Sequence, residues 1–220
     1  MAEIPDVFYY FTTVDSAKDD IKNRHIKISE ISKLNDPFEF YCEDFSDERV
    51  KNGSLYLKKS VSEKYGIICF SEDWQHPLMW AHYANRSTGI CLGFKFQDNL
   101  KPRKVKYVKS RTRDTIERIN KGQKTKPEDL IKIYSTKFDG WSYEKEYRSL
   151  IELDHSDKNE NGLYFVEFGT AIKLVEVILG LACNITPSEV QIWLNDYEDH
   201  IKISETTISL NEFKIIKKKH

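Results

Sequence analysis

The chain has 220 residues, of which 40% are hydrophobic and 31% are charged, and its formal net charge at pH 7 is -1. This length suits one domain, here residues 1–220, with enough apolar and aromatic side chains for a substantial core. Because the charges nearly cancel, the composition excludes a protein that wraps nucleic acid or binds an anionic membrane through its overall charge.

Sequence signals for a membrane or for export are lacking. No apolar run approaches the roughly 20 residues of a membrane-spanning helix, and the N-terminal MAEIPD does not have the charged and then apolar order of a secretion signal. The four cysteines are scattered without paired spacing, which is typical of reduced thiols. We therefore expect a cytoplasmic protein that does not contact a membrane.

In the first half of the chain, short segments with the apolar patterns of strands are separated by segments with helical spacing. Strands are predicted at 7–13, 26–28, 66–71 and 89–96, and helices at 14–22, 54–64 and 77–84. An Asp15/Ser16 cap is expected to start the first helix. Between these elements the sequence Asn35-Asp36-Pro37-Phe38-Glu39 predicts a turn, because Asn and Asp side chains bond to their own backbone and proline fixes φ.

The second half continues the mixture of strands and short helices. A strand is predicted at 103–108, a polar helical segment interrupted by Gly122 at 110–137, and further strands at 146–153, 163–168, 173–180, 200–204 and 212–217. Thr186-Pro187-Ser188-Glu189 predicts the start of a helix that ends near Asp199, because it combines a capping Thr, a first-turn Pro and a Glu. Many strands without a regular βαβ rhythm predict a mixed α+β domain.

The most informative stretch is Glu144-Lys145-Glu146-Tyr147-Arg148, which follows Trp141. If a strand covers 146–153, side chains two residues apart share a face, so Glu144, Glu146 and Arg148 are expected to project together. Two carboxylates can then orient or deprotonate a reactant, while the guanidinium holds an anionic ligand. The alternative interpretation is a charged strand face with an ordinary cross-strand ion pair.

The turn at 35–39 has a structural and a functional interpretation. Asn35 and Asp36 can be the polar walls of a cleft, with Phe38 as a surface for stacking. For Asp36 the preferred interpretation is the turn itself, since its side chain caps its own backbone.

The predicted helix at 77–84 and the strand before it supply further candidates. Ser71 ends the strand, and Trp80 and Tyr83 are expected mainly to pack the helix against the sheet. His82 differs, because a short helix that begins just after a strand places its imidazole near the edge of the sheet. These polar groups are expected to line one concave site together with those of the Glu144–Arg148 stretch.

Several common sites are not predicted. The separations of Cys69, His76, His82 and Cys91 fit no standard zinc spacing, so we expect no metal site. Ser71 does not lie in the strand–turn–helix elbow of hydrolases, and the chain has neither a phosphate-binding glycine loop nor a dinucleotide fingerprint.

Taken in order, five motifs resemble one family: FYYFTT, NDPFE, GIICFSE, HPLMWAHYANRSTGICLGF and W-x-YEKEYR. The family is the uncharacterised bacterial domain-of-unknown-function family numbered 2971. The resemblance covers roughly residues 7–153 and depends on the combination of motifs.

The order of these motifs is in turn similar to that of ADP-ribosyltransferases, which bind NAD as a substrate. The resemblance implies two small bent, mixed or antiparallel sheets with short flanking helices around a cleft. Such enzymes have an early strand that borders the nicotinamide, a middle strand with a serine or tyrosine, and a late strand with a catalytic Glu. The corresponding residues here are Tyr9/Tyr10, Ser71 with Tyr83, and Glu144/Glu146.

The resemblance also implies roles in breaking the bond between ribose and nicotinamide. Glu146 is expected to stabilise the oxocarbenium-like state, and Glu144 to orient or deprotonate the acceptor. Arg148 is expected to bind the diphosphate. Tyr10, Phe38 or Trp80 would stack on nicotinamide or adenine, and Asn35, Asp36 and His82 would complete the NAD site.

The expected function is therefore an NAD-using ADP-ribosyltransferase or NAD glycohydrolase, in phage defence or a toxin–antitoxin system, whose acceptor, protein or nucleic acid, the sequence does not identify. One alternative is a non-catalytic ligand- or partner-binding module of a defence system, because FYYFTT has tyrosines where such transferases have His or Arg. Another is a carboxylate- or metal-dependent hydrolase or nuclease that acts through Asp36, Glu39, His82 and Glu146.

Overall fold

A computed structural model describes residues 4–97, 100–114, 118, 122–123, 127–154, 161–169 and 171–219. The main helices in these ranges are α1 (Val14–Asn23), α2 (Glu48–Lys64), α3 (Pro77–Tyr83), α4 (Pro127–Tyr134) and α5 (Pro187–Trp193). Two 3-10 helices that border the site described below are Ile31–Lys33 and Asp139–Glu144. None of the helices in the described ranges is long and apolar enough to cross a membrane.

The strands are short. They are β1 (Phe8–Thr12), β2 (His25–Glu30), β3 (Tyr65–Ser71), β4 (Ile90–Phe96), β5 (Arg103–Lys104), β6 (Lys106–Val108), β7 (Thr136–Phe138), β8 (Glu146–Glu152), β9 (Tyr164–Glu167), β10 (Ile172–Leu179), β11 (Lys202–Ile208) and β12 (Ile215–Lys217).

Ten of these strands form one branched sheet. Its main path runs β12-β11-β10-β4-β1-β3-β2-β9, while β8 pairs with β3 and β5. Among the described strands, only the β10–β11 pair is parallel in this sheet, and β6 and β7 form a separate parallel pair. The predicted α+β class with a mainly antiparallel sheet is confirmed. The expectation of two small sheets is corrected, because β3 pairs with both β1 and β2 and so joins the strands on either side into one sheet.

The sheet divides along one edge of β3. On the other edge, β8 pairs with β3 along its whole length, from Tyr65 to Ser71. On the divided edge, β1 pairs with β3 only where Tyr9 faces Ser71, and β2 pairs only at Gly66 and Ile67. Within the ranges given above, the stretch 68–70 therefore has no neighbouring strand on this side, and a cleft opens between β1 and β2.

Apolar side chains cover both faces of β3. Ile68 and Phe70 belong to the main core beneath α1 and α5, whereas Ile67 belongs to a second core that includes α2 and α4. Burial on both faces explains why GIICF is continuously apolar rather than alternating. A third cluster joins Trp80 of α3 to β1 and β4.

Several element boundaries differ from those predicted. Thr13, not Asp15 or Ser16, caps α1, because its hydroxyl accepts the Ser16 N–H. The α2 helix begins at Glu48 rather than at 54. The predicted strand 103–108 is divided at Val105, whose N–H bonds to the Glu146 carbonyl.

Two further differences concern later segments of the chain. The predicted helical segment 110–137 contains α4 and then the strand β7, while 115–117, 119–121 and 124–126 lie outside the described residues. The capping box at Thr186 and Glu189 is confirmed.

Candidate active site

A cavity of about 280 Å³ occupies the cleft between β1 and β2. Its walls come from β1, β3, the turn after β2, α3 and the segment 137–146. Six of the predicted site residues line it: Tyr10, Asn35, Ser71, Tyr83, Glu144 and Glu146. Glu39 and Lys137 line it as well, so the cavity is both aromatic and densely charged.

Lys137 is the centre of a buried charge network in this cavity. Its Nζ lies 2.5 Å from Glu144 Oε2, 3.2 Å from Glu146 Oε2 and 3.4 Å from Glu39 Oε1. All four residues are at most 6% exposed. Such carboxylates can remain charged away from water only because a cation contacts each of them.

Arg148 is the second cation of the network and is 1% exposed. Its guanidinium donates two hydrogen bonds to Glu39, at 2.8 and 2.5 Å, and two to Glu146, at 2.7 and 2.8 Å. It donates a fifth hydrogen bond to the Tyr134 carbonyl at 2.8 Å. These bonds use all five N–H donors of an arginine. The expected contact of Arg148 with a diphosphate is therefore corrected, since no donor remains for a ligand.

Local backbone geometry explains how the three residues of the Glu144–Arg148 stretch meet. Glu146 and Arg148 share one face of β8, as predicted, opposite Ser71 and Cys69 of β3. Glu144 does not belong to this strand, because it ends the 3-10 helix Asp139–Glu144. Lys145 then takes a left-handed conformation, with φ 45°, and the chain turns into β8.

Ser71 has a structural contact within this arrangement. It is fully buried, and its hydroxyl donates to the Glu144 carbonyl at 2.6 Å. This bond fixes the backbone at Glu144, whose side chain lines the cavity. Ser71 thus positions Glu144 and lines the wall of the cleft.

The two carboxylates of the pair have opposite pKa shifts. Burial, and then the negative charge of Glu146, raise the pKa of Glu144 to about 7. Burial acts in the same direction on Glu146, but Arg148 and Lys137 hold its pKa at about 2. Burial opposes the charge of Lys137, whereas the surrounding carboxylates raise its pKa. Near neutral pH, Glu146 is therefore ionised, whereas Glu144 is present in both its protonated and its ionised form.

A hydrogen-bonded chain leads from Glu144 to the mouth of the cavity. The Tyr83 hydroxyl donates to Glu144 Oε1, and Asn35 Nδ2 donates to the Tyr83 oxygen at 3.1 Å. Burial and the charge of Glu144 raise the pKa of Tyr83, so its hydroxyl keeps its proton. Because Asn35 is exposed, this chain connects the buried carboxylate to solvent.

Five predicted residues do not line the cavity: Arg148, described above, and four others. Trp80 is fully buried and its indole N–H donates to the Trp74 carbonyl at 2.6 Å, so the expected stacking of Trp80 on a ligand is corrected. Asp36 accepts the Phe38 N–H at 2.9 Å and forms the turn, as preferred above. Phe38 is half-exposed on another surface, and His82 is exposed beside Tyr143.

The sequence interpretation missed Lys137 and Tyr107. The hydroxyl oxygen of Tyr107 accepts the Glu146 N–H at 2.8 Å. Lys137 lay inside a segment predicted to be helical, where a lysine has no special meaning. The available signal was electrostatic: two glutamates next to one arginine in a buried strand require another cation.

A possible metal-binding group, Asp19, Asp20 and His25, lies on α1 and β2, and none of its members lines this cavity. The carboxylates of Glu39 and Glu146, which line the cavity, already contact Lys137 and Arg148.

Comparison with known proteins bears on this region of the chain. The model of the family described as "Protein of unknown function (DUF2971)" matches residues 79–149. This match supports the predicted resemblance to the family over residues 79–149, which include Tyr83 and the whole stretch from Lys137 to Arg148. No curated protein and no solved structure matches the chain.

Proposed function

We propose that this protein cleaves the bond between ribose and nicotinamide in NAD, as an ADP-ribosyltransferase or an NAD glycohydrolase, in the cleft between β1 and β2. One observation carries the proposal. Glu144 and Glu146 contact the same lysine at the base of an aromatic cavity, yet the pKa of one is about 7 and that of the other about 2. Carboxylates whose pKa values are driven apart in one site are typical of an acid–base pair.

The size of the cavity limits what it can hold. At about 280 Å³ it is near the lower end of ligand sites, which are roughly 300–1,000 Å³. The cavity suits the nicotinamide and its ribose rather than the complete dinucleotide. Tyr9, Tyr10 and Tyr83 line it and supply aromatic surface for the ring and hydroxyls for the ribose and amide. The rest of NAD would leave the cavity past Asn35.

In the proposed reaction, the bond between the ribose C1′ and the nicotinamide nitrogen breaks, and its electron pair leaves with neutral nicotinamide. Positive charge then develops on the ribose. The ionised carboxylate of Glu146 stabilises that charge in a site from which water is largely excluded. Its contacts with Arg148 hold the carboxylate in place, because a bidentate pair fixes both the position and the plane of the group.

Glu144 acts on the nucleophile. An acceptor hydroxyl or a water molecule attacks C1′, and its proton passes to the Glu144 carboxylate. With a pKa of about 7, a large fraction of Glu144 is ionised at neutral pH while it remains basic enough to take a proton. The Tyr83 hydroxyl orients this carboxylate.

A purely structural ion network is the competing explanation for these residues. Three carboxylates, Glu39, Glu144 and Glu146, face two cations, Lys137 and Arg148. A network that only stabilised the fold would gain most from matched charges, whereas here one carboxylate lacks a full counter-charge. Strongly shifted pKa values, such as that of Glu144, are concentrated at functional sites. The role in phage defence or as a toxin stays a prediction from the family resemblance.

The test is release of nicotinamide from NAD by the purified protein, measured chromatographically with and without a cell lysate as a source of acceptors. We expect release by the wild type and almost none by Glu144→Gln. The control is Glu152→Gln, an exposed glutamate at the end of the same strand, β8, which should behave as wild type.

Two results would count against the proposal. No release by the wild type under either condition would overturn it. Tight binding of NAD without release would instead support the alternative of a ligand-binding module.

A further inference from the structure

A second cavity, of about 320 Å³, lies beside the charge network. Lys137 contributes to the walls of both cavities. The residues that matter for its chemistry are Phe38, Tyr41, Lys109, Arg111 and Phe138. It contains none of the carboxylates of the cleft, so its ligand preference differs from that of the proposed NAD site.

Two aromatic rings are left half-exposed at this cavity. Phe38 is 53% exposed and Phe138 is 51% exposed. An exposed phenyl ring loses the roughly 1.5–3 kcal/mol that burial of such a side chain provides. Phe138 belongs to β7 and Phe38 to the turn after β2, so two separate segments of the chain bring exposed rings to the same cavity. Paired exposed rings are typical of a surface on which a flat ligand stacks.

The cavity is also cationic. The guanidinium of Arg111 lies 5.3 Å from the centre of the Phe38 ring and 4.6 Å from that of Phe45, so the rings hold it in place. In the described part of the chain, neither Arg111 nor the exposed Lys109 has an acidic partner. The nearby Arg113, by contrast, is paired with Asp44 at 2.7 Å. Arg111 and Lys109 thus retain N–H donors for an anion.

We propose that this cavity binds a nucleotide. The base stacks on Phe38 and Phe138, and the phosphate accepts hydrogen bonds from Arg111 and Lys109. A flat ring that carries a dianionic group matches both halves of the cavity, since stacking uses the rings and a phosphate uses a planar guanidinium well. The volume of about 320 Å³ is adequate for a base and its ribose. The inference does not depend on NAD cleavage, because it concerns other residues.

Calorimetric titration of the full-length protein with AMP, adenosine and inorganic phosphate tests this site. We expect AMP to bind more tightly than adenosine or phosphate, because only AMP uses both the rings and the cations. Arg111→Gln should weaken AMP binding by about tenfold and leave adenosine unchanged, as expected for loss of a charged hydrogen bond. Arg113→Gln is the matched control, since that arginine already pairs with Asp44, and it should bind AMP as the wild type does.

A second variant separates stacking from charge. Phe138→Leu keeps an apolar side chain but removes the flat ring, so it should weaken AMP and adenosine alike while circular dichroism remains native. NAD is titrated in parallel, because its adenylate half is another source of the same chemistry. If NAD uses this cavity, Arg111→Gln weakens it together with AMP. If NAD enters only the cleft, its affinity is unchanged.

The proposal fails if AMP gives no binding at millimolar concentration, or if phosphate binds as tightly as AMP. It also fails if Arg111→Gln binds AMP normally. Each of these outcomes leaves nicotinamide release by the cleft untouched, so failure here is distinct from failure of the proposed function.

Discussion

Glu39 and Arg148 lie 109 residues apart in the chain and form a bidentate ion pair, with distances of 2.8 and 2.5 Å. Both residues are almost completely buried. The pair anchors the Asn35–Glu39 turn to β8, and the turn in turn presents Asn35 to the cleft. Glu39, the last residue of the turn, therefore holds one wall of the candidate site in position.

Replacement of Glu39 by Gln should destabilise the fold by about 3–5 kcal/mol, because it leaves Arg148 with an unpaired share of buried charge. Chemical denaturation measures this change. Glu212→Gln is the control, since Glu212 is 54% exposed and pairs with Lys214 at the surface, where such pairs contribute at most about 1 kcal/mol. Equal stabilities for the two variants would contradict a structural role for the Glu39–Arg148 pair.

Activity of the proposed enzyme should increase as the pH rises through about 7, the pKa of Glu144. The ionised carboxylate is the form that accepts a proton, so the protonated form present at lower pH is inactive. The measurement is the rate of nicotinamide release between pH 5 and 9, with Glu152→Gln as the control that keeps the wild-type profile. A flat wild-type profile would remove Glu144 from the role of base.

Glu146→Gln should differ from Glu144→Gln in stability. Glu146 is ionised and accepts two hydrogen bonds from Arg148 and one from Lys137, so its replacement by an amide weakens three charge-assisted bonds between buried groups. We expect Glu146→Gln to be inactive and to melt several degrees lower than the wild type. For a protein of this size, a loss of roughly 1 kcal/mol in the free energy of unfolding lowers the melting temperature by a few degrees. Glu144→Gln should be inactive with a melting temperature near that of the wild type. Similar melting temperatures for both variants would show that Glu146 contributes no more to stability than Glu144 does.

Asp20 provides a test of stability against pH that is independent of the cleft. It is 2% exposed, its Oδ2 has no hydrogen-bond partner among the described residues, and burial together with Asp19 raises its pKa to about 7 from an ordinary value of 3.8. The folded state thus disfavours its ionisation. This cost is absent below about pH 4, grows as the pH rises, and is complete above about pH 7.

The free energy of unfolding of Asp20→Asn, relative to that of the wild type, should therefore be larger at pH 8 than at pH 5. The expected difference is on the order of 1 kcal/mol or more. The free energies of unfolding of both proteins at the two pH values give the result. Asp15→Asn, an exposed replacement on the same helix, should show a much smaller difference. A gain that is the same at both pH values would mean that Asp20 does not titrate in this range.

Features that depend on neighbouring residues in the chain were predictable from the sequence. The apolar run of β3 and the capping box at Thr186 follow from local rules, and the structure has both. The shared face of Glu146 and Arg148 follows from the twofold repeat of a strand.

Features that depend on distant residues were not predictable in this way. The division of the sheet at β3 results from which strands pair, and no local pattern specifies that choice. Lys137 and Glu39 become partners of Glu146 and Arg148 only through tertiary structure. The position of Glu144 depends on the left-handed conformation of Lys145, and lysine is not a residue type that signals it.

The pairing of Glu39 with Arg148 also constrains the order of events during synthesis. When the first 100 residues have left the ribosome, β3 has emerged without β8, and Glu39 has emerged without either of its cations. Domains generally fold as units once their chain is available. The N-terminal segment must therefore wait for the Lys137–Arg148 segment before its acidic turn can be buried. The cleft and the stable fold consequently arise together, and a nascent chain that stops before Arg148 has neither.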